Sequence, residues 1–199
     1  MEGLLSAAER LLAREGFVAL STRRIAEEAS VSPSLVHYYF PSVDDLCVQL
    51  LERVSRALIR RQRRIFSGPQ PFSTQINQAF GALRTRRADV KVWVELSMMA
   101  VNHPRLKAQM AEIDEEWTSI VRDAYQRQWD GIESNSERLE VAAYAGLTLT
   151  FLRGLYFEQV MGLDRQHDQV LVLARTLIEN FDGSLVANSG HLPLNERTD

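Results

Sequence analysis

Several things are scarce in this sequence, and each scarcity closes a door. Cys47 is the only cysteine among 199 residues, which excludes an intramolecular disulfide and any zinc site built on several thiolates. The carboxylates of Asp44 and Asp45 beside it would raise its pKa, the reverse of what a redox sensor needs, so a small buried residue is expected. No apolar run reaches the roughly 18 residues needed to span a membrane, and Met1-Glu2-Gly3 leads straight into an amphipathic pattern, not a leader peptide. A cytoplasmic protein is the expectation. Lysine is almost missing, Lys91 and Lys107 being the two present, and net positive charge is missing altogether. The formal net charge is −3, and residues 1–46 set Arg10, Arg14, Arg23 and Arg24 against seven acids. Such a balance does not advertise a nucleic-acid binder, although recognition depends on a local face and not on a global sum. Catalytic parts are lacking too. The histidines, His37, His103, His167 and His191, are scattered and accompany no nucleophile motif, H-E-x-x-H, P-loop or Rossmann glycine pattern. The nearest approach to a di-iron Glu-x-x-His motif is Asp164-Arg165-Gln166-His167, in a turn. No enzyme activity, metal or cofactor is expected.

What is present is a repeated helical pattern. Apolar content of 45% with 25% charged residues is ordinary for a globular chain, and the length allows a sizeable core. Leu4, Leu5, Ala8, Leu11 and Leu12 recur at helical spacing, with Gly16 as a left-handed cap. Leu46, Leu50, Leu51, Val54 and Leu58 form the stripe of a helix from Ser42 to about Phe66, with Asp45 completing a capping box. Ser67-Gly68-Pro69-Gln70-Pro71 breaks it. Phe72, Ile76, Ala79, Phe80 and Leu83 give another helix. Residues 89–101 are apolar nearly all round, as in a helix buried on several sides, and Asn102-His103-Pro104 ends them. A long helix carrying Leu106, Met110, Ile113, Trp117, Ile120, Val121 and Ala124 is closed by Gly131. Ser134 and Glu137 open a helix running to about Gly162, and a last helix over 167–182 contributes Val170, Leu173, Ala174, Leu177, Ile178 and Phe181. Residues 184–199 read as a frayed polar tail. The fold class predicted is all-α, with about nine helices and no strands.

Residues 21–46, STRRIAEEASVSPSLVHYYFPSVDDL, organise the rest. Ser21 or Thr22 caps a short helix whose inward residues are Ile25, Ala26 and Ala29. After Ser30-Val31-Ser32, Pro33 sits just inside a second short helix, where its missing N–H costs nothing and Ser32 supplies the cap. Val36 and Phe40 face inward and Val31 plugs the corner. Two short helices on so tight a turn form a helix-turn-helix, whose second helix lies in the DNA major groove. The residues that remain outside, Thr22, Arg23, Pro33, Ser34, Leu35, His37, Tyr38 and Tyr39, are the DNA-contact candidates: small groups for close approach, with hydroxyls, a guanidinium and an imidazole for phosphates and bases. Arg53, Arg56, Arg60, Arg61, Arg63 and Arg64 on the following helix suggest a second basic stripe. At ~1.5 Å per residue, however, Arg60 lies roughly 25 Å beyond Val43, so that stripe reads as a solvated face.

The segment resembles the DNA-binding motif of the tetracycline-repressor (TetR) family of bacterial regulators. Thr22, Ile25-Ala26, Ala29, Val31-Ser32, Tyr39-Phe40 and Leu46 stand at the family's spacing, and Gly16-Phe17 fits the end of its first helix. The family usually has Gly where this chain has Ser30, and Lys where it has Val43. The resemblance implies an N-terminal helix-turn-helix domain, here 1–46, and a C-terminal ligand-binding and dimerisation domain, here 47–183. Ala142, Ala143, Ala145 and Gly146, with Leu147, Leu149, Phe151, Leu152, Leu155, Phe157 and Val160, cover more than one face of their helix. A homodimer through residues 137–182, with the last two helices of each chain forming a four-helix bundle, would bury the excess. Trp93, Met98, His103, Trp117, Tyr125, Phe151 and Tyr156 offer bulky walls with polar handles for an apolar or amphipathic effector, although each alone also reads as core. Lys91-Val92-Trp93, Pro104 and Trp117 are loosely similar to the family's choline-responsive members, which would imply an aromatic cage for a quaternary ammonium. The expected function is a ligand-responsive dimeric regulator, a repressor, that binds a pseudo-palindromic operator in double-stranded DNA and is released by a small-molecule effector. The alternative is a helical adaptor that kept the fold and lost specific DNA binding, an alternative favoured by the acidic head and by Val43.

Overall fold

The computed structural model describes residues 1–85, 87–128 and 135–187. Among these the elements are α1 (Glu2–Glu15), a 3-10 turn (Phe17–Ala19), α2 (Thr22–Ala29), α3 (Pro33–Tyr39), α4 (Val43–Phe66), α5 (Phe72–Arg84), α6 (Arg87–Ala100), α7 (Pro104–Gln128), α8 (Asn135–Val160) and α9 (His167–Ala187). The described residues thus form nine α-helices and no strand, as the periodicity predicts. The expected stop at Gly131, the cap at Ser134 and the tail from 188 onward lie outside the described residues. Helix α9 continues to Ala187, past the predicted end at 182.

The first three helices pack Leu4, Leu5, Ala8, Leu11 and Leu12 of α1 against Ile25, Ala26, Val36 and Phe40, all buried. Each serine N-cap predicted for this region is made. Ser21 Oγ accepts from Arg24 N, Ser32 Oγ from Leu35 N and Ser42 Oγ from Asp45 N, each satisfying a donor that the helix start leaves free. At Ser42 the box differs from its usual form, in that the hydroxyl also donates to Asp45 Oδ2 at 2.7 Å. Gly16 does end α1, but with φ 76 and ψ −178. That is an extended left-sided conformation that glycine alone adopts easily, not the αL cap expected. The chain turns there into the 3-10 segment instead of folding back.

The turn between α2 and α3 is a Schellman motif. Val31 N donates to Ala26 O at 2.9 Å and Ser30 N to Glu27 O at 3.1 Å, with Ser30 at φ 56, ψ 44. Among the described residues Ser30 is the only non-glycine with positive φ. An L-residue there costs roughly 1–2 kcal/mol in backbone sterics, which explains why glycine is the residue expected at this corner.

Helix α4 starts beneath the helix-turn-helix and ends in the C-terminal body, so the predicted boundary at 46/47 falls inside one continuous helix. Leu46, Cys47, Leu50 and Leu51 are buried in its first half; Leu58, Ile59, Gln62 and Phe66 are buried in its second. One core of buried residues runs from Leu4 to Tyr156 without a break.

Replacing Ser30 with Gly removes the αL cost while restoring about 0.5–1 kcal/mol of unfolded-state freedom. Ser30→Gly should therefore stabilise by about 0.5–1 kcal/mol, read as a rise of a few degrees in Tm at fixed protein concentration. A fall in Tm would mean that the serine side chain makes a compensating bond at this corner.

Candidate nucleic-acid interface and effector pocket

Helix α3 buries only Val36 of its 7 residues. Pro33, Ser34, Leu35, His37, Tyr38 and Tyr39 all stand exposed, Tyr38 at 79% and packed edge-on against Tyr39 at 5.1 Å. Thr22, at the start of α2, is half-buried, and Arg23 is exposed with its Nε donating to Glu27 Oε1 at 2.9 Å. All eight predicted contact residues therefore lie on the helix-turn-helix, and seven of them are exposed to solvent.

The charges of this head are mostly spent internally. Arg10 and Arg14 reach Glu28, and Arg24 reaches Glu15 with both terminal nitrogens, at 2.7 and 3.1 Å. Arg24 and then Arg14 hold the Glu15 carboxyl below its ordinary range, and Arg10 and Arg14 do the same for Glu28. Half of the arginine stripe on α4 is similarly occupied. Arg53 pairs with Glu2 and Glu9, Arg56 with Glu52, and Arg63 with Glu116. Cys47 is buried, and burial, with Asp44 adding a smaller effect, pushes its thiol up to about 12. That leaves it inert.

Two sets of contacts join the head to the body. Lys91 Nζ on α6 donates to Ala13 O at 2.8 Å, and Glu95 Oε2, one turn on, accepts from Phe17 N at 3.3 Å. These bonds satisfy backbone groups on either side of Gly16. At the α6–α7 turn, His103 Nδ1 stands 3.4 Å from Asp44 Oδ2, and Arg105 pairs with Asp45. Asp45 is held below its ordinary pKa by Ser42 first and by Arg105 second.

The predicted effector residues divide. Trp93 and Trp117 meet edge-to-face at 5.6 Å, and Tyr156 lies 6.4 Å beyond Trp117. These three belong to one aromatic cluster. Met98 is 60% exposed on the outside of α6, and His103 sits in the turn against Asp44, so neither lines the cavity formed there. Tyr125 is plain core, packed on Phe72 at 4.1 Å with its hydroxyl 2.8 Å from Thr148 Oγ1. Phe151 is half-buried against the core and lines neither of the spaces beside the cluster. Periodicity shows that such residues lie on a helix face, but not whether that face borders a space or another side chain.

Beside the tryptophans lies a cavity of about 270 Å³, lined by Trp93, Met110, Ala111, Ile113, Asp114, Trp117 and Arg153. Behind it Gln62, Phe66, Trp117, Leu149, Leu152, Arg153 and Tyr156 enclose a tighter space with no room for water. Gln62 Nε2 donates weakly to the Tyr156 hydroxyl at 3.5 Å, while Gln62 Oε1 has no partner among the described residues. Sequence reasoning missed Gln62, Asp114 and Arg153. Two signals were available: Gln62 interrupts the Val54, Leu58, Phe66 stripe, and Arg153 is the only charged residue between positions 141 and 157.

Comparison with known proteins agrees with this geometry. Residues 4–50 match the family model of bacterial regulatory proteins of the tetR family, and residues 73–183 match that of the BetI-type transcriptional repressor, C-terminal. An uncharacterised HTH-type transcriptional regulator of Haemophilus influenzae is 35% identical over 77 residues, which cover 39% of this chain and 41% of that relative. The match thus spans under half of the relative's length. The fold is shared with a transcriptional regulator from Rhodococcus sp. Rha1, at TM-score 0.74 and 19% identity over 96% of this chain and 98% of the other. It is also shared with the multidrug binding protein EbrR, solved with imidazole, at TM-score 0.66 and 22% identity over 90% of this chain and 92% of that one. The Haemophilus relative and the Rhodococcus protein are both named as transcriptional regulators. With one model over the head and another over more than half of the chain behind it, this protein belongs to the TetR family of bacterial regulatory proteins.

Proposed function

We propose that the protein is a ligand-responsive homodimeric repressor, cytoplasmic, that binds a pseudo-palindromic operator through α3 and releases it when a small molecule occupies the C-terminal domain. The observation that carries this reading is the exposure of α3. A helix that leaves Leu35, Tyr38 and Tyr39 in water while burying only Val36 has a surface made for something outside the chain. Its N-terminus carries the small residues Pro33 and Ser34, which let the backbone approach base edges.

The dimer is supported by a second exposed surface. Along α8, Ala143, Gly146, Leu147, Thr150, Gly154 and Phe157 are all exposed, followed by Met161. These residues are small or apolar, and Glu158 beside Phe157 is the one exposed charge on α8 from Val141 onward. Val172, Leu173 and Leu177 on α9 are more than half exposed as well. A second copy of the same surface, related by a two-fold axis, would cover both helices. Ligand release has a route through α6, which carries Trp93 at the cavity and Lys91 and Glu95 at the end of α1. A ligand that shifts Trp93 would shift the clamp on the head.

A gel shift with DNA flanking the protein's own gene tests the central claim. Arg23→Ala and Tyr38→Ala should each lower operator affinity by about tenfold, a loss of one good contact per half-site, with Tm unchanged because both side chains lie outside the core. Normal binding by both variants would exclude this docking and favour the adaptor reading.

Val43, half-buried at the first position of α4, stands where the family usually offers a lysine to a phosphate. The helix start still presents free N–H groups. Val43→Lys should add one neutralised phosphate per chain, so the slope of log K against log salt should steepen by about 2 for a dimer. The gain should be alike on specific and random DNA. An unchanged slope would turn the start of α4 away from the duplex.

Leu147→Glu should convert the dimer to a folded monomer by light scattering, since Leu147 is 67% exposed in the single chain. Leu155→Glu should behave differently. Leu155 is 4% exposed within the monomer, so the buried charge should unfold the chain itself, costing several kcal/mol. A wild type that is monomeric by light scattering would remove both the dimer and the palindromic operator.

A further inference from the structure

Arg153 is an unusual occupant of an otherwise apolar stretch of α8. Its guanidinium carbon stands 5.9 Å from the centroid of the Trp117 ring, and Nη2 pairs with Asp114 Oδ1 on α7. Asp114 and Trp117 are one turn apart on that helix, so cation, carboxylate and aromatic face form a single unit. Trp117 and Arg153 line both the 270 Å³ cavity and the tight space containing Gln62 and Tyr156, while Asp114 lines the cavity alone. Any molecule that enters the cavity meets Trp93, Met110 and Ile113 as walls and the Asp114–Arg153 pair as its polar end.

The three charge classes of ligand fare differently there. A cation finds the Trp117 face already taken by the guanidinium and must either expel it or sit beside a like charge. Expelling it would also strip the Arg153 stem from Leu149, Leu152 and Tyr156, its companions around the inner space. A neutral apolar molecule leaves the ion pair in place and gains only from the walls. An anion can exchange with Asp114. The Asp114 side chain is 48% exposed, against 34% for Arg153, so it can turn into water at small loss while the guanidinium keeps its aromatic contact. Burial also lowers the Arg153 pKa, a sign that this charge is poorly solvated and gains from a closer anion. A carboxylate can bind the guanidinium in bidentate fashion, a geometry that adds specificity as well as energy.

We propose that this cavity is the effector site and that it takes a small organic carboxylate with an apolar or aromatic body, bound to Arg153 in place of Asp114. The assignment rests on the reading of the chain as a ligand-responsive regulator, and it runs against the quaternary ammonium that the paired tryptophans alone would suggest. The two rings do meet, but the protein supplies its own cation to them.

Phenylacetate, with phenylacetamide and benzyltrimethylammonium as its neutral and cationic counterparts, tests the assignment by calorimetric titration of the full chain. Phenylacetate should bind at least about tenfold more tightly than either counterpart, a margin of one charged contact. Arg153→Met should weaken it by at least about tenfold, and Asp114→Asn, which removes the competing charge, should tighten it a few-fold. Thermal melts establish that the variants fold; if Arg153→Met does not, Asp114→Asn decides. Preference for the cation, no phenylacetate binding at about 10 mM, indifference to Arg153→Met in a folded variant, or no tightening in Asp114→Asn would each overturn the proposal. Gel shifts on the same preparations separate the two readings. Operator binding without phenylacetate binding sinks the ligand class alone, whereas phenylacetate binding without any operator binding sinks the regulator.

Discussion

The contact of α6 with the end of α1 is the constraint on which the rest of this structure depends. Lys91 satisfies the carbonyl of Ala13 before Gly16, and Glu95 satisfies the N–H of Phe17 after it. Between these two bonds the chain takes the φ 76, ψ −178 geometry that only glycine adopts easily. A Cβ at Gly16 would also meet Glu95 Oε1 at 3.2 Å. Glycine is therefore favoured first by its own backbone, and a side chain there would also oblige the Glu95 carboxylate to give by a few tenths of an ångström. The orientation of the head relative to the body follows from this joint and from the continuous α4. Because Lys91 and Glu95 flank Trp93 on the same helix, the joint that holds the head is two residues from the wall of the cavity.

A second constraint comes from polar groups placed where the body is otherwise apolar. Gln62 is 1% exposed with an oxygen that no described residue satisfies, and Gln159, 5% exposed, has neither side-chain polar atom partnered among the described residues. Buried groups of this kind cost free energy unless something completes them. Tyr125 and Thr148 show the opposite, a pair that satisfies itself at 2.8 Å and packs as core. Of these, Gln62 lines the inner space beside Arg153, whereas Tyr125 and Thr148 line neither that space nor the cavity. Arg153 and Trp117 border both the cavity and the inner space.

How much of this was legible beforehand depended on whether the signal was local. Caps at Ser21, Ser32 and Ser42, the break at Pro69 and Pro71, and the inward residues of the first four helices are all set by neighbours within one turn, and the structure has each of them. Gly16 was legible as an end but not as to its geometry, because the groups that bond the backbone around it, Lys91 and Glu95, lie on a helix far away in the sequence. The division of Leu147 from Leu155 was likewise hidden. Both lie on an apolar helix whose periodicity is nearly full-circle, and only the position of the other helices decides which one is covered. The pocket suffered most. Large side chains were the obvious candidates, whereas the groups that make the cavity chemically distinct are the misplaced polar ones, Gln62, Asp114 and Arg153.

The acidic composition of the head, which seemed to argue against DNA, takes on a different meaning once the ion pairs are assigned. Glu15 and Glu28 are engaged by Arg10, Arg14 and Arg24 and tie α2 to α1. They neutralise one another locally. Arg23 is held by Glu27 in an exposed i,i+4 pair, a contact worth at most a few tenths of a kcal/mol and easily exchanged for a phosphate. Few free cations then remain to bind phosphates indiscriminately. Non-specific affinity, which comes almost entirely from neutralised phosphates, should be low in a head of this design. Its discrimination would have to come from the hydroxyls, the imidazole and the close approach of α3. A head poor in positive charge is thus compatible with the selective DNA binding proposed above, in which the bases would have to supply a larger share of the free energy than the backbone.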